Sequence, residues 1–261
     1  MTRRRDAEVA IECVDLSIAR ASARGGARVV DGVSARLPHG GALAVLGPTG
    51  AGKSSLATVL AGAEEPGLAV VGGDAWVEGI PVRKPGRAHR QHTYVTGYLA
   101  QGDGARLPSR LTVEEVIASP ITRRSRRVDK RALAIRVAAL LDEMKLPLGI
   151  TVQYPYELSA GMRQRVAFAR AVMLQPRVLI ADDLVANLDL SSREAVLAAI
   201  RRRREAYGMS TLLVGNDRDV VEALGAHVLV LRAGHVVAVG ESASDVTWTP
   251  SGDADHRLIA S

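Results

Sequence analysis

The strongest constraint on this chain's fold is nine residues long: Gly47-Pro48-Thr49-Gly50-Ala51-Gly52-Lys53-Ser54-Ser55. Gly47, Gly52, Lys53 and Ser54 stand at the four fixed positions of the pattern G-x-x-x-x-G-K-[ST]. The uncharged run Gly41-Ala42-Leu43-Ala44-Val45-Leu46 precedes it and reads as a buried parallel strand. Leu56, Val59 and Leu60 follow at helical spacing, with Gly62 as the expected stop. In a strand–loop–helix unit of this kind, glycines let backbone N–H groups curl around an anion. The helix N-terminus adds partial positive charge. Lys53 can then reach outer phosphates, and Ser54 is placed to hold Mg²⁺. A glycine-rich turn that fits the pattern by chance would not explain the flanking strand and helix.

The chain has 261 residues, room for one large α/β domain or two small ones. Aromatics make up only 3%, so Val, Leu, Ile and Ala must fill the core. The net charge of +6 comes mostly from arginine. It suits DNA, an acidic membrane surface or an acidic partner, or reflects only a GC-rich genome. Cys13 stands alone, so no internal disulfide forms, and no Cys/His cluster points to zinc. Neither a signal-peptide core nor an apolar run of about 18 residues occurs. A reducing, cytosolic setting is expected, with any membrane association coming through a partner.

Residues 9–40 read as short strands and turns, with Gly25-Gly26 and Asp31-Gly32 as turn signals. Residues 67–100 carry β-like pieces at 75–80 and 93–100. Thr112 is the expected N-cap of the next helix, with Glu115 completing a capping box. A second helix spans 129–145, with Leu133, Val137, Leu140, Leu141 and Met144 on one face. Arg123, Arg124, Arg126 and Arg127 lie between the two helices and read as a solvated basic surface. Helices are expected at 161–174 and 191–207, and strands at 178–182 and 211–214. A hairpin follows around Ala233-Gly234, and the last dozen residues form a loose polar tail.

Two further elements narrow the chemistry. Val178-Leu179-Ile180-Ala181 ends in Asp182-Asp183, a buried strand presenting carboxylates. Asp182 is placed to share Mg²⁺ with Ser54, and the next acid can position or activate an attacking water. An ordinary acidic turn after a strand is the plainer alternative. Leu158-Ser159-Ala160-Gly161-Met162 opens a helix and offers a second phosphate-binding surface.

Together these resemble the ATP-binding cassette (ABC) family over nearly the whole chain. Pro48 to Ser55 resembles the Walker A loop, and Asp182 the Walker B aspartate. Gln101 resembles the Q-loop glutamine that senses Mg²⁺ and the membrane partner. Leu158 to Met162 resembles the signature loop, Ala186 to Asp189 the D-loop, and Gly234 to Val237 with Gly240 the terminal hairpin. The run from Tyr154 to Val166 is most similar to the oligopeptide/dipeptide/nickel importer branch, which often carries Met at the position of Met162. That branch usually carries a long C-terminal extension, which these 261 residues do not include.

The resemblance implies a P-loop NTPase (RecA-like) α/β core with an N-terminal antiparallel β subdomain over 1–101 and 161–248. It implies an inserted α-helical signature subdomain over 102–160 and a tail from 249. It also implies an ATP sandwich dimer, homomeric or heteromeric. ATP and Mg²⁺ would lie between one subunit's Gly47–Ser55 and the other's Ser159, Ala160, Gly161 and Met162. Gln101 and Asp182 would join Ser54 around the metal, and Asp183, Gln101 and Asn216 would serve hydrolysis.

Four departures from the family pattern bear on mechanism. Asp183 replaces the catalytic glutamate, shortening its reach by about 1.5 Å, one carbon bond. Asn216 replaces the switch histidine; it can hydrogen-bond a γ-phosphate but carries no proton. Leu184-Val185 replaces Pro-Thr. The stretch around Arg24 lacks the usual adenine-stacking aromatic. The plainer expectation is harmless drift in a working ATPase; the sharper one is a site that binds Mg·ATP well and hydrolyses it slowly.

The expected role is the energy-coupling ATPase of an importer with separate permease chains, at the cytoplasmic face of the membrane. A regulatory ATP-binding switch and a non-transport ATPase on nucleic acid are the alternatives. The short spacing from Gln101 to Leu158 leaves no room for a coiled-coil insertion, so no nucleic acid is expected as partner.

Overall fold

The computed structural model describes residues 9–21, 26–83, 86–125, 127–242 and 244–248. Two 12-residue strands open it, β1 (Val9–Arg20) and β2 (Ala27–Pro38). They are followed by β3 (Ala42–Leu46), α1 (Lys53–Leu60), β4 (Leu68–Val77) and β5 (Ile80–Pro81). Next come α2 (Arg87–Val95), β6 (Thr96–Leu99), α3 (Val113–Thr122), α4 (Lys130–Glu143) and α5 (Ala160–Val172). The chain continues through β7 (Val178–Asp182), α6 (Leu190–Tyr207), β8 (Ser210–Val214) and α7 (Arg218–Ala223). It closes with β9 (His227–Arg232), β10 (His235–Gly240) and β11 (Val246–Trp248).

The central sheet has seven strands in the order β11-β10-β9-β3-β8-β7-β6. The five from β9 to β6 are parallel, and β10 and β11 add antiparallel at one edge. A second, antiparallel sheet runs β2-β1-β4-β5. Period-2 alternation splits the central strands between two cores. Ala42, Ala44, Leu179, Ala181 and Leu213 face the layer of α3, α4, α5 and α6. Leu43, Val45, Val178, Ile180, Leu212 and Val214 face α1 and the antiparallel sheet. Helix α1 is thus clamped between two sheets, burying Leu56, Ala57, Thr58 and Leu60. Each fully buried leucine there contributes roughly 1.5–3 kcal/mol. The helix stops at Gly62, whose φ of +66° suits the left-handed C′ position. The buried ring of His92 lies beneath Gly62, where a Cβ would come within 2.5 Å of Nδ1.

Several expectations hold as read. Thr112 and Glu115 form the capping box of α3. Asp129 caps α4, which buries Val137, Leu140 and Leu141. Pro120 lacks an N–H to complete the α3 ladder, and the Ser119 hydroxyl donates to Val116 O instead. Ala233 and Gly234, at φ +47° and +86°, make the two-residue turn between β9 and β10.

Others are corrected. Asp31-Gly32 is not a turn. Gly32, at φ +66°, sits in a bulge inside β2, and its N–H donates to the Ser17 hydroxyl across the pair. The β-like stretch from Thr93 begins inside α2, and β6 starts only at Thr96. Helix α2 buries a single side chain, His92, so no apolar stripe announced it. Helix α7 and strand β11 were also missed, being six and three residues long. The tail from 249 and the position of Arg126 lie outside the described residues. Among the described residues no helix is long and apolar enough to cross a membrane.

Candidate active site

The loop from Gly47 to Gly52 leaves the carboxyl end of β3 and feeds α1. Gly47 and Gly52 are glycine for two reasons each. Their φ angles are +139° and +98°, and an added Cβ would lie 2.0 Å from Leu231 O or 2.1 Å from Val29 O. Gly50 differs: φ is +82°, but nothing lies within 4 Å of its Cβ position, so that point of the loop is open. The turn of the β9–β10 hairpin supports the loop from behind, with Gly234 N donating to Ala51 O at 3.1 Å. The side chains of Ala51 and Ser55 turn inward, and the Ser55 hydroxyl accepts from Arg20 at 3.3 Å. Neither side chain is therefore presented to a ligand, and Ala51 N–H donates within the loop to Pro48 O at 3.2 Å. Pro48, Thr49 and Ser54 are exposed. Helix α1 has no side-chain cap and no acid in its first turn, so its N-terminal field is uncompensated. Lys53 Nζ lies across the loop, donating to Gly47 O at 2.7 Å and Pro48 O at 2.9 Å.

The paired carboxylates close strand β7. Asp182 is 3% exposed, and its Oδ2 has no hydrogen-bond partner. Burial holds its pKa above the usual carboxylate range; Asp183 adds to the rise, while a hydrogen bond from Ser54 and the charge of Lys53 oppose it. A buried, unpartnered carboxylate oxygen beside a serine hydroxyl suits a hard divalent cation. Asp183 adopts a left-handed φ of +55°, held by its N–H to Val214 O at 2.9 Å. That turn directs its side chain to Gln101, whose Nε2 donates to Asp183 Oδ2 at 2.7 Å.

The Gln101 loop is itself fixed. Asp103 pairs with Arg170 of α5 at 2.9 Å and accepts from Ala100 N at 3.3 Å. Arg106 donates to Gln101 O. Gln164, not singled out from the sequence, is buried in α5 and donates to the backbone oxygens of Asp183 and Leu184 at 3.4 and 3.3 Å. The available signal was a glutamine on the face that also carries Ala167 and Phe168, where a polar side chain needs a partner.

Asn216 follows β8. Its Oδ1 accepts from Gly47 N and its Nδ2 donates to Gly47 O, both at 3.0 Å. The residue is thus a two-point clasp on the first residue of the loop. A cleft of about 380 Å³ opens between the ends of β7 and β8, lined by Asp183, Val185, Gly215, Asn216 and Asp217 among others. Leu184, in place of the family's proline, is buried in the helical core.

Ser159 caps α5, its hydroxyl accepting from Met162 N at 3.2 Å. Ser159 and Ala160 are exposed, while Met162 packs partly against the helical core. A Cβ on Gly161 would lie 3.0 Å from Asn187 O, so the signature segment abuts the Ala186–Asp189 turn. Helix α5 packs on the sheet face opposite α1. Within one chain the fold gathers Lys53, Ser54, Gln101, Asp182, Asp183 and Asn216, while the hydrogen bond of the Ser159 hydroxyl stays within its own helix start, at Met162 N. Arg24 lies outside the described residues.

A family model described as ABC transporter matches residues 30–186. The oligopeptide transport ATP-binding protein OppD of Mycobacterium tuberculosis is 34% identical over 238 residues, covering 90% of this chain and 37% of that protein. OppF of Escherichia coli, also an oligopeptide transport ATP-binding protein, is 32% identical over 216 residues, covering 82% of this chain and 63% of OppF. The chain thus spans roughly a third to two thirds of these relatives' lengths. Among solved structures, the ATP-binding cassette MJ0796 bound to ADP and Pi, described as a dimer, superposes with a TM-score of 0.77 at 19% identity. That match covers 93% of this chain and 100% of the other. CbiO1 of Clostridium perfringens, part of a cbiONQ ABC transporter complex, gives 0.73 at 20% identity, covering 90% and 89%.

Proposed function

This chain belongs to the ABC transporter family, and on that premise we propose that it is the ATP-hydrolysing, energy-coupling subunit of an importer whose permease chains are separate. The observation that carries the proposal is the convergence of Ser54, Asp182, Asp183 and Gln101 at the carboxyl end of the parallel sheet, beside an intact phosphate loop. The oligopeptide-transport names of the relatives support an importer of that branch and weigh against a role on nucleic acid.

In this reading the backbone N–H groups of Gly47–Ser55 and the start of α1 bind the ATP phosphates. Lys53 exchanges its loop carbonyls for phosphate oxygens. Ser54 and Asp182 would hold Mg²⁺, with Gln101 alongside; the ion supplies positive charge against the reacting phosphates. Asp183 orients and deprotonates water, with Gln101 fixing its carboxylate. Asn216 contacts the γ-phosphate side of the cleft. The placement of Ser159–Met162 on the other sheet face supports a second cassette, of the same or another chain, whose signature loop completes each site. Residues 102–160 act as the helical subdomain that carries this loop. Closure on ATP and opening after hydrolysis would bias the permease between two states. The chain would sit at the cytoplasmic face of the membrane, bound through the permease.

Purification from the native membrane tests the proposal. Mass spectrometry should find permease chains and two cassettes in one complex that turns over ATP. A chain that elutes alone, with no membrane protein and no nucleotide affinity, would sink it.

A further inference from the structure

The chain's positive charge is not spread evenly. Residues 83–131 hold twelve Lys and Arg against four Asp and Glu, an excess of eight, whereas the whole chain carries +6. The remainder is therefore slightly acidic, and an arginine-favouring composition does not account for the concentration. No acid occurs between Glu78 and Asp103, or between Glu115 and Asp129.

The fold gathers part of this segment onto one surface. Arg87, Arg90 and Tyr94 recur at helical spacing on α2, opposite the buried His92. Arg124, just past α3, reaches over to donate to Thr93 O at 2.8 Å, joining the α3–α4 connection to the last turn of α2. Arg123 and Arg127 flank it and are exposed, and Tyr94 is 55% exposed. Among the described residues none of Arg87, Arg90, Arg123, Arg124 and Arg127 takes part in an ion pair. The surface lies beside β6, the edge strand of the central sheet, away from the cleft between β7 and β8.

We infer that this face of α2 and the α3–α4 connection binds the anionic headgroups of a lipid bilayer. Unpaired arginines attract an anionic surface and lose little in doing so. An exposed tyrosine among them suits the headgroup boundary, where one end of the ring is apolar and the other wet. The inference rests on the proposed place of the chain beside a permease, because weak lipid contacts gain force once a partner holds the chain at the membrane.

Co-sedimentation of the full chain with vesicles tests it. Vesicles of phosphatidylcholine alone are compared with vesicles containing phosphatidylglycerol. The chain should bind only the latter and be released by salt. A variant carrying Arg90→Gln, Arg123→Gln and Arg127→Gln should partition on the order of 100-fold more weakly. A control with Arg36→Gln, Arg202→Gln and Arg218→Gln has the same net charge and should change little. Tyr94→Ser should weaken binding by a smaller factor. Equal binding to both vesicle types, equal loss in the two triple variants, or binding to duplex DNA with none to vesicles would overturn the inference. ATP turnover and permease co-purification are read on the same variants. If these persist while the wild-type chain ignores anionic vesicles, the lipid surface falls and the transport reading stands. If they are absent while anionic binding persists, the transport reading falls and the lipid surface stands.

Discussion

Gln101 Nε2 donates to Asp183 Oδ2 at 2.7 Å, joining residues 82 positions apart. The contact ties a loop after β6 to the turn after β7 and gives the shorter carboxylate a fixed direction. The reach lost relative to glutamate is not restored by the backbone, which is already held by Val214 O. A misplacement of about 1 Å costs on the order of 10²-fold in rate. Asp183→Glu should therefore raise single-turnover ATP hydrolysis roughly 10- to 100-fold, and Asn216→His should add to it. Rapid-quench measurement with enzyme in excess decides the matter. If neither variant is faster, slow hydrolysis is not caused by these side chains.

Gln164 joins the signature helix to the same turn. Gln164→Leu would leave the carbonyls of Asp183 and Leu184 without its amide. An unsatisfied buried group costs about 1–3 kcal/mol. The expected result is a lowered Tm and slower hydrolysis with ATP affinity nearly unchanged, because Gln164 touches nothing in the phosphate loop. A fall in affinity equal to the fall in rate would contradict this.

The strands and helices were legible where one period dominated. Val178–Asp182 reads correctly because five consecutive buried positions leave no alternative to an interior parallel strand. The capping box at Thr112 reads correctly because its signal is local. Helix α2 was lost because His, Thr and aromatic residues are indifferent helix formers, and its one buried contact, His92 against Leu60 O, is 32 residues distant in sequence. In the site, the fixed pattern exposed Gly47, Lys53 and Ser54, and strand ends exposed Asp182 and Asp183. The clasp of Asn216 on Gly47 and the Asp103–Arg170 anchor were invisible, since each pairs residues 67 or more positions apart with no local spacing rule.

The three loop glycines should not respond alike to a methyl group. Gly47→Ala forces a Cβ against Leu231 O, and Gly52→Ala against Val29 O. Both should displace the loop and abolish measurable ATP binding. Gly50→Ala meets open space and bears only the left-handed backbone penalty, roughly 1 kcal/mol. Its ATP affinity should fall no more than about tenfold in calorimetry. Similar losses at all three positions would mean that the loop moves away from β9 when it binds.

Cys13 lies in the core beneath the β1–β2 pair, and burial, with Glu12 adding, pushes its thiol up to about 12. The folded chain thus retains a proton that the unfolded chain releases near pH 9. The stability tied to this thiol is whole below pH 9 and is lost as pH climbs toward 12, at roughly 1.4 kcal/mol per pH unit. Urea melts between pH 8 and 10.5 should show that decline. Cys13→Ala should lower stability near pH 7 by about 1 kcal/mol through the lost sulfur contacts while removing this part of the alkaline slope. Alkylation of Cys13 by iodoacetamide should require unfolding. An unchanged slope, or rapid alkylation of the native chain, would show the thiol to be accessible.

Asp182 sets function against stability in the same way. Its folded pKa lies above the ordinary carboxylate value, chiefly through burial. For a raised carboxyl, the linked stability is whole below the unfolded pKa and disappears as pH rises through the folded one. The ionised form of the group therefore weighs against the ligand-free fold. Asp182→Asn removes the charge and keeps the shape, so without nucleotide its Tm should exceed that of the parent at pH 7.5. The difference should be narrower at pH 4.5, because lowering the pH moves the parent carboxyl toward its protonated form. The same variant should lose Mg²⁺-dependent hydrolysis by on the order of 10³-fold and gain less than the parent in Tm when Mg·ATP is added. Scanning calorimetry at the two pH values, with and without Mg·ATP, reads all three effects. A variant less stable than the parent at pH 7.5 would mean that the carboxylate of Asp182 is satisfied within the protein, and that its orphaned oxygen is not a cation site.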